Sequence, residues 1–306
     1  MLHGILIVNK ERGMTSHHVV AQLRRIIHQA AIGHTGTLDP EATGVLVVGL
    51  GQATRFFPYL EEAVKVYQAE IIFGRSTDTQ DATGRIIAES PDTNISLDSL
   101  RAAILTLTGA IEQIPPMFSA VKMNGTKLYD LARKGMVVER AARPILVHYW
   151  KILTPQSDYG FLGRLVVEIA CSKGTYIRTL IHDLGEALGC GAHMGGLIRL
   201  RSGAFSLEEA LILDKIKERF EQGRLGEAIV SLNCALSHLP SLWLDEEDIK
   251  KVRNGGKLSF EKYQLPADPG TQARVLDKSA MVLAIAELID AGSHYFWQPV
   301  KVFHYD

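Results

Sequence analysis

The chain has 306 residues, 46% of them hydrophobic and 22% charged, and a formal net charge of −1. These values describe a soluble globular protein with one large core, or one large and one small domain, and they exclude nucleic-acid binding driven by overall charge. Any RNA contact has to come from local basic patches, helped by partial protonation of some of the 11 histidines. Cys171, Cys190 and Cys234 are widely spaced with no CxxC pair, which points to reduced thiols in a cytosolic compartment. No apolar run approaches a membrane span, and the N-terminus lacks the pattern of a cleaved leader, so the expected location is the cytoplasm.

Gly4 to Val8 reads as a first strand closed by the polar turn Asn9–Gly13. Ser16 is expected to cap an amphipathic helix with Val19, Val20, Leu23, Ile26 and Ile27 at helical spacing and Arg24 and Arg25 on its surface. Gly33 to Leu46 follows, with three glycines, Pro40 and, at its centre, the carboxylate of Asp39. Such a composition prescribes a loop with a fixed backbone path, and the branched run Val45 to Gly51 beyond it reads as a buried strand. A lone carboxylate held against a core strand can serve as a nucleophile or base, and an Asp before Pro can equally be a turn cap.

Val64 to Gly74 is a second strand, with Val66, Gln68 and Glu70 on one face and Tyr67, Ala69, Ile71 and Phe73 on the other. A polar turn at Asp78–Gly84 leads to a strand at Arg85–Ala88, and a helix is expected over Leu97–Leu107, begun near Ser96. Pro115-Pro116 marks a break, after which Met117 to Arg143 is rich in charge and glycine. Strands are expected at Ile145–Leu153 and Gly163–Cys171, and helices at Tyr176–Leu188 and Ser206–Gln222. From about Leu239 the texture changes to short strands and turns, a compact and mostly β unit. Strands in this order, with few βαβ units, favour an α+β fold.

The wording of three segments goes further. GHTGTLDPEATGVL at 33–46, followed by Gly51-Gln52-Ala53-Thr54-Arg55, closely resembles the catalytic motif of the TruB family, the bacterial tRNA pseudouridine-55 synthases. Lys65 to Gly74 is similar to the family's second motif, and Lys173 to Arg178 to its "KGTYIR" motif. The resemblance implies a mixed, largely antiparallel central sheet with flanking helices over residues 1–235, and a small, mostly β PUA-like RNA-binding domain over 239–306. It also implies a mobile insertion at about 117–148 that clamps the T-arm of tRNA. In this reading Asp39 is the catalytic carboxylate. Tyr67 stacks on the target base and is a candidate for proton removal. Arg178 pairs with Asp39, Tyr176 lines the uridine pocket, Leu197 packs on the base, and His34 contacts RNA near the displaced nucleotide. The chain departs from the family near its start, where Asn9 and Glu11 replace Asp and Pro, while Lys10 is kept as a supporting residue of the substrate-binding set.

The reaction implied is isomerisation of uridine to pseudouridine at position 55 of the T-loop, on a nucleotide flipped out of the folded RNA. It has no net redox change and adds no group, so no cofactor and no metal are expected. His182, Cys190 and His193 fit no standard zinc spacing. The partner expected is the tRNA T-arm, gripped through Arg24, Arg25, the basic stretch Arg133–Arg143, Lys173, Arg199 and Arg201, by a monomer that contacts no membrane. The alternatives are the catalytic subunit of a guide-RNA pseudouridylation particle, an RNA-folding chaperone, and a carboxylate hydrolase, for which no motif nominates a second carboxylate beside Asp39.

Overall fold

The strands β1 (Gly4–Lys10), β2 (Ile32–Thr35) and β3 (Thr43–Leu50) begin the main sheet, and β1 and β3 are almost unbroken runs of branched apolar residues. Both faces of that pair are covered, which is why the runs do not alternate. Leu6, Val8, Leu46 and Val48 pack under the helix Ser16–Ile27, while Ile5, Ile7, Val45 and Val47 face Phe56 and the C-terminal sheet. The structure is a computed structural model describing residues 1–60, 64–119, 121–123 and 125–305, with the side chains of 122, 127 and 133 outside that description.

The sheet continues through β4 (Lys65–Phe73), β5 (Gly109–Gln113), β6 (Arg143–Ile152), β7 (Arg164–Cys171), β8 (Ala192–Ser202), β9 (Phe205–Ser206) and β10 (Ile229–Val230). Its ten strands run β10-β1-β3-β8-β4-β7-β6-β5, with β2 on β3 and β9 on β8. These pairings are antiparallel except that of β8 with β3, where Ile198 and Arg199 lie opposite Thr43 and Gly44. Gly44 is required there: its φ is +96°, and a Cβ would run into the backbone of Arg199. The α+β class and the largely antiparallel sheet are therefore as expected.

The inward face of β4 carries Tyr67, Ala69, Ile71 and Phe73, the face assigned from alternation, and packs on Ile177, Leu180, Ile181 and Leu184 of the helix Ile177–Ala187. A second sheet of five strands is formed by Ser241–Trp243, Gln272–Leu276, Val282–Asp290, Tyr295–Val302 and Leu258–Ser259. It joins the main body through Leu276, Val282, Ile285 and Phe303, whose ring stacks on Phe56 at 3.6 Å between centroids. Each of these buried side chains contributes about 1.5–3 kcal/mol of apolar burial.

Four expectations change. The first helix is capped by Thr15, whose side chain accepts from the His18 N–H, because the buried Ser16 hydroxyl is bonded to Leu38 instead. The helix expected over Ser206–Gln222 is confined to Leu213–Glu221, since Ser206 pairs with β8 and Leu211 bridges to Val8. Ala192–Ser202, which carried no strand expectation, is the longest strand of the sheet. Residues 143–148, grouped with the insertion, belong to the main-sheet strand β6.

Candidate active site

Asp39 stands at the turn between β2 and β3, where three separate groups fix the backbone. Lys10 Nζ donates to the carbonyls of Pro40, Met14 and Glu11 at 3.0, 2.8 and 3.1 Å. Ser16 Oγ both donates to Leu38 O and accepts from Leu38 N–H. The Gly13 N–H reaches Pro40 O, and Leu38 and Ala42 are buried on either side. On this loop Asp39 presents its carboxylate to the guanidinium of Arg178, Nε to Oδ2 at 3.0 Å. The two partners differ in exposure: the Arg178 side chain is 6% exposed and that of Asp39 44%. The cation is thus held inside while the carboxylate stays half exposed to solvent. Burying the guanidinium is offset by further acceptors, Thr79 O at 3.0 Å, Phe118 O at 2.9 Å and Asp81 Oδ2 at 3.7 Å.

Tyr67 is buried on β4 directly across from Arg199 on β8. Burial pushes its hydroxyl pKa upward and the Arg199 guanidinium, lying against it, pulls the other way; the net direction is up, so the ring stands as a neutral phenol. Leu197 lies opposite Ala69 and packs on the cluster that contains Tyr67 and Leu38. Tyr176 precedes the helix that carries Arg178, and its N–H and carbonyl are both engaged by the Gln113 amide, at 2.8 and 3.0 Å. His34 meets His17 edge to face at 5.0 Å, and burial lowers its pKa, with His17 and Arg199 adding to the effect. Lys10 is fully buried with its donors turned to carbonyls, the position of a loop support. Asp39 and Arg178 are thus paired, the Asp39 charge acts on Tyr67, and Leu197 packs on the cluster that holds Tyr67 and Leu38.

Comparison with known proteins decides what this arrangement belongs to. Residues 24–177 match the TruB family pseudouridylate synthase N-terminal domain, and 178–237 the tRNA pseudouridylate synthase B C-terminal domain. The chain is 42% identical over 292 residues to tRNA pseudouridine synthase B of Geobacter sulfurreducens, covering 94% of this chain and 93% of that one. To the protein of the same name from Geobacillus thermodenitrificans it is 39% identical over 306 residues, covering 99% and 100%. The chain belongs to the TruB family. Among solved structures, an H/ACA RNP bound to a substrate RNA containing 2′-deoxyuridine is similar at a TM-score of 0.74 and 25% identity, covering 99% of this chain and 85% of that one. A Cbf5-Nop10-Gar1 complex follows at 0.72 and 27%, covering 98% and 84%. The ten-strand sheet is therefore the pseudouridine synthase fold of this family.

Two residues of this TruB-family site escaped the sequence reading. Arg199 was expected on the surface gripping phosphate; it is 1% exposed, its Nε donating to Val45 O at 2.7 Å and its Nη2 to Gly36 O at 2.6 Å. It ties both ends of the Asp39 loop to β8 and cannot reach an RNA backbone. No local signal marked it, since a bulge between Arg199 and Arg201 breaks the alternation and leaves Arg201 exposed. Asp81 supplies a second carboxylate on Arg178, where none was nominated, and its Oδ1 is held by the hydroxyls of Thr79 and Thr83 and the Thr83 N–H. It was hidden in a turn whose Asp, Thr and Gly content reads as generic. Among the described residues no three His, Cys, Asp or Glu side chains come together to hold a metal ion.

Proposed function

We propose that this chain isomerises uridine to pseudouridine at position 55 in the T-loop of tRNA, with Asp39 as the carboxylate that starts the reaction. The observation that carries this reading is the Asp39–Arg178 pair, a half-exposed carboxylate fixed by a buried cation on a loop that is itself bonded at both ends. The nucleotide is flipped out to reach Asp39, because the reacting atoms are otherwise stacked inside RNA. Tyr67 stacks on the base, with Leu197 and Tyr176 on the pocket wall, His34 against the RNA at the rim and Lys10 holding the loop from behind. Asp39 opens the N1–C1′ bond by attack at C1′, by addition at C6 or by taking a proton at C2′. The base then turns, C5 bonds to C1′ and the C5 proton leaves. Because burial keeps Tyr67 protonated, it must give up its own proton before it can take that one.

The same reading assigns residues 1–235 to catalysis, an insertion at about 117–142, short of the main-sheet strand β6, to clamping the T-arm, and 239–306 to a PUA-like RNA-binding unit. It places the protein in the cytoplasm as a monomer working without added cofactor. Arg25, Lys134, Arg143 and Arg201 are exposed, as contacts to phosphates require, and Lys173 is exposed as well. The Arg133 side chain lies outside the described residues. The likeness to the Cbf5 complexes supports a second reading, catalysis within a guide-RNA particle, but the relatives at 39–46% identity are named for tRNA and span more than four-fifths of the chain.

The test uses purified protein and unmodified tRNA transcript with no added cofactor, mapping pseudouridine by position. Product at position 55 from the wild type, and a loss on the order of 10⁴-fold or more in Asp39→Asn, is the expected result. An active Asp39→Asn would remove the nucleophile assignment. No product from free tRNA would favour the guide-RNA reading.

A further inference from the structure

The turn at 78–84 meets the helix Ile177–Ala187 at Arg178, and one residue of that turn is strained. Gln80 has φ +62°, a left-handed conformation that is costly for residues other than Gly, Asn and Asp. A turn that only had to reverse the chain would be served by one of those three. Gln80 is instead held by three bonds. Its N–H donates to Thr77 O at 3.1 Å, its carbonyl accepts from the Met194 N–H at 3.1 Å, and its side-chain Oε1 accepts from Thr179 Oγ1 at 2.8 Å. Asn, which tolerates the conformation better, is one methylene shorter on the side that meets Thr179.

Strain and side chain meet around Arg178. Thr79 and Asp81 flank Gln80, and both put an acceptor on Arg178 Nη1, the Thr79 carbonyl at 3.0 Å and the Asp81 carboxylate at 3.7 Å. Thr179, which is buried, follows Arg178 on the helix. The Thr179–Gln80 bond therefore closes a ring in which the helix holds the turn and the turn holds the guanidinium. The other two nitrogens of Arg178 are committed elsewhere, Nε to Asp39 and Nη2 to Phe118 O. A guanidinium is planar, so fixing Nη1 also fixes the direction of Nε. If the turn drew back, Arg178 would be free to swing, and the half-exposed carboxylate of Asp39 would lose its orientation rather than its charge.

We propose that Gln80 and Thr179 are positioning residues: their hydrogen bond locks the turn at 78–84 onto the helix that carries Arg178 and so aims Asp39 at the flipped nucleotide. The inference rests on the reading above in which Asp39 starts the reaction. The left-handed backbone at 80 is kept because it places an amide oxygen on Thr179, and its benefit is read in rate rather than in stability.

The experiment compares Thr179→Val, Thr179→Ser, Gln80→Gly and the double variant Gln80→Gly/Thr179→Val with wild type. Single-turnover rate at saturating tRNA transcript, tRNA affinity and melting temperature are measured for each. Thr179→Val keeps the shape and removes the donor, while Gln80→Gly removes the acceptor and the strain together. Each should lower the rate about tenfold, the size of one neutral hydrogen bond, with affinity changed by less than about twofold. The double variant should be no slower than either single one, since both break the same bond. It should also melt close to wild type, because no buried hydroxyl is left unpaired and the left-handed residue is a glycine. Thr179→Ser restores the donor at the loss of a buried methyl, so it should melt lower than wild type and yet recover most of the rate. A rate that follows melting temperature across the variants makes the pair a stabilising contact and overturns the proposal. So does a double variant slowed by the product of the single factors, or a loss confined to affinity. Gln80 is half-buried in a turn, so its Gly variant keeps the test decisive should Thr179→Val fail to fold. Wild type that forms no pseudouridine on tRNA overturns the functional reading and the positioning with it; wild type that forms it while Gln80→Gly is undiminished overturns the positioning alone.

Discussion

The Asp39 loop and the segment between Gln113 and Arg143 are both rich in glycine and polar residues, yet they are held in opposite ways. The loop is bonded by Lys10, Ser16, Arg178 and Arg199, all of them buried and reaching in from four different elements. The segment is anchored near its base, by Gln113 on Tyr176, by Phe118 O on Arg178 and by Arg140 on Pro115 O. Beyond the base it turns Met123, Met136 and Val137 outward. A carboxylate that must meet one atom of a substrate needs a backbone with no freedom, and the protein supplies that through redundant hydrogen bonds. Under the proposed function the segment is a surface that receives RNA, and such a surface needs only a fixed base and exposed side chains. Arg178 joins the two, because one guanidinium bonds both the Asp39 carboxylate and the Phe118 carbonyl at the base of the segment.

Arg178→Met is where the contrast should break most visibly. It leaves Asp39 and Asp81 without their shared cation and frees two carbonyls. We expect kcat to fall on the order of 10³-fold, with tRNA affinity changed far less. Arg178→Lys should rescue little, since one ammonium cannot serve four acceptors in a plane. Single-turnover assays beside equilibrium binding separate the two effects; a mutant that lost affinity and kept kcat would show that Arg178 serves the segment rather than the carboxylate.

Lys10→Met tests the redundancy of the loop. Three carbonyls lose their donor, and stability should drop by about 2–4 kcal/mol in urea titration, with the m-value unchanged. The pH dependence has a definite sign. Burial lowers the folded-state pKa of Lys10 from 10.5 to about 8, against the opposing pull of Asp39 and Glu41. Between those two values the unfolded chain binds the extra proton, so this lysine adds stability as pH rises from about 8 toward 10.5. The difference between wild type and Lys10→Met should therefore widen across that window, and a constant difference would show that Lys10 is not buried as a charge.

How far such features could be read from residues alone depended on whether the relevant force was local. The glycines and Pro40 of the loop, the apolar strand beyond it and the face of β4 that carries Tyr67 depend on spacing and backbone preference, and each matches the sequence expectation, whereas Gly33–Thr35, read as loop, pair with β3 as β2. Residues set by partners distant in sequence did not. Arg199 looked like a surface cation because nothing nearby in sequence says that Gly36 and Val45 wait for its donors. Ser16 looked like a cap because its true partner, Leu38, is 22 residues away. Asp81 was one polar residue among several, and only the fold brings Arg178 to it. The segment 206–212 has helical composition but is drawn into pairing with β8 and β1.

Gln113→Ala cuts the hinge between the two regions. Removing the amide leaves the Tyr176 N–H and carbonyl unpaired beside a buried position, at about 1–3 kcal/mol of stability. If the hinge merely stabilises, kcat and KM stay near wild type once the protein is folded. If it also sets the start of the helix that carries Arg178, kcat falls while KM holds, and amide exchange at Tyr176 and Ile177 speeds up.

Val137→Ser is expected to do least to the fold, and that is its use. The side chain is 81% exposed, so unfolding free energy should move by no more than about 0.5 kcal/mol, read from the thermal midpoint. An apolar residue so exposed gains nothing for the isolated chain, so any effect should appear in binding of the T-arm and leave kcat at saturating RNA unchanged. A drop in stability well beyond that figure would mean that the segment is packed as tightly as the Asp39 loop, and the contrast between a fixed site and a loosely anchored grip would fail at its second term.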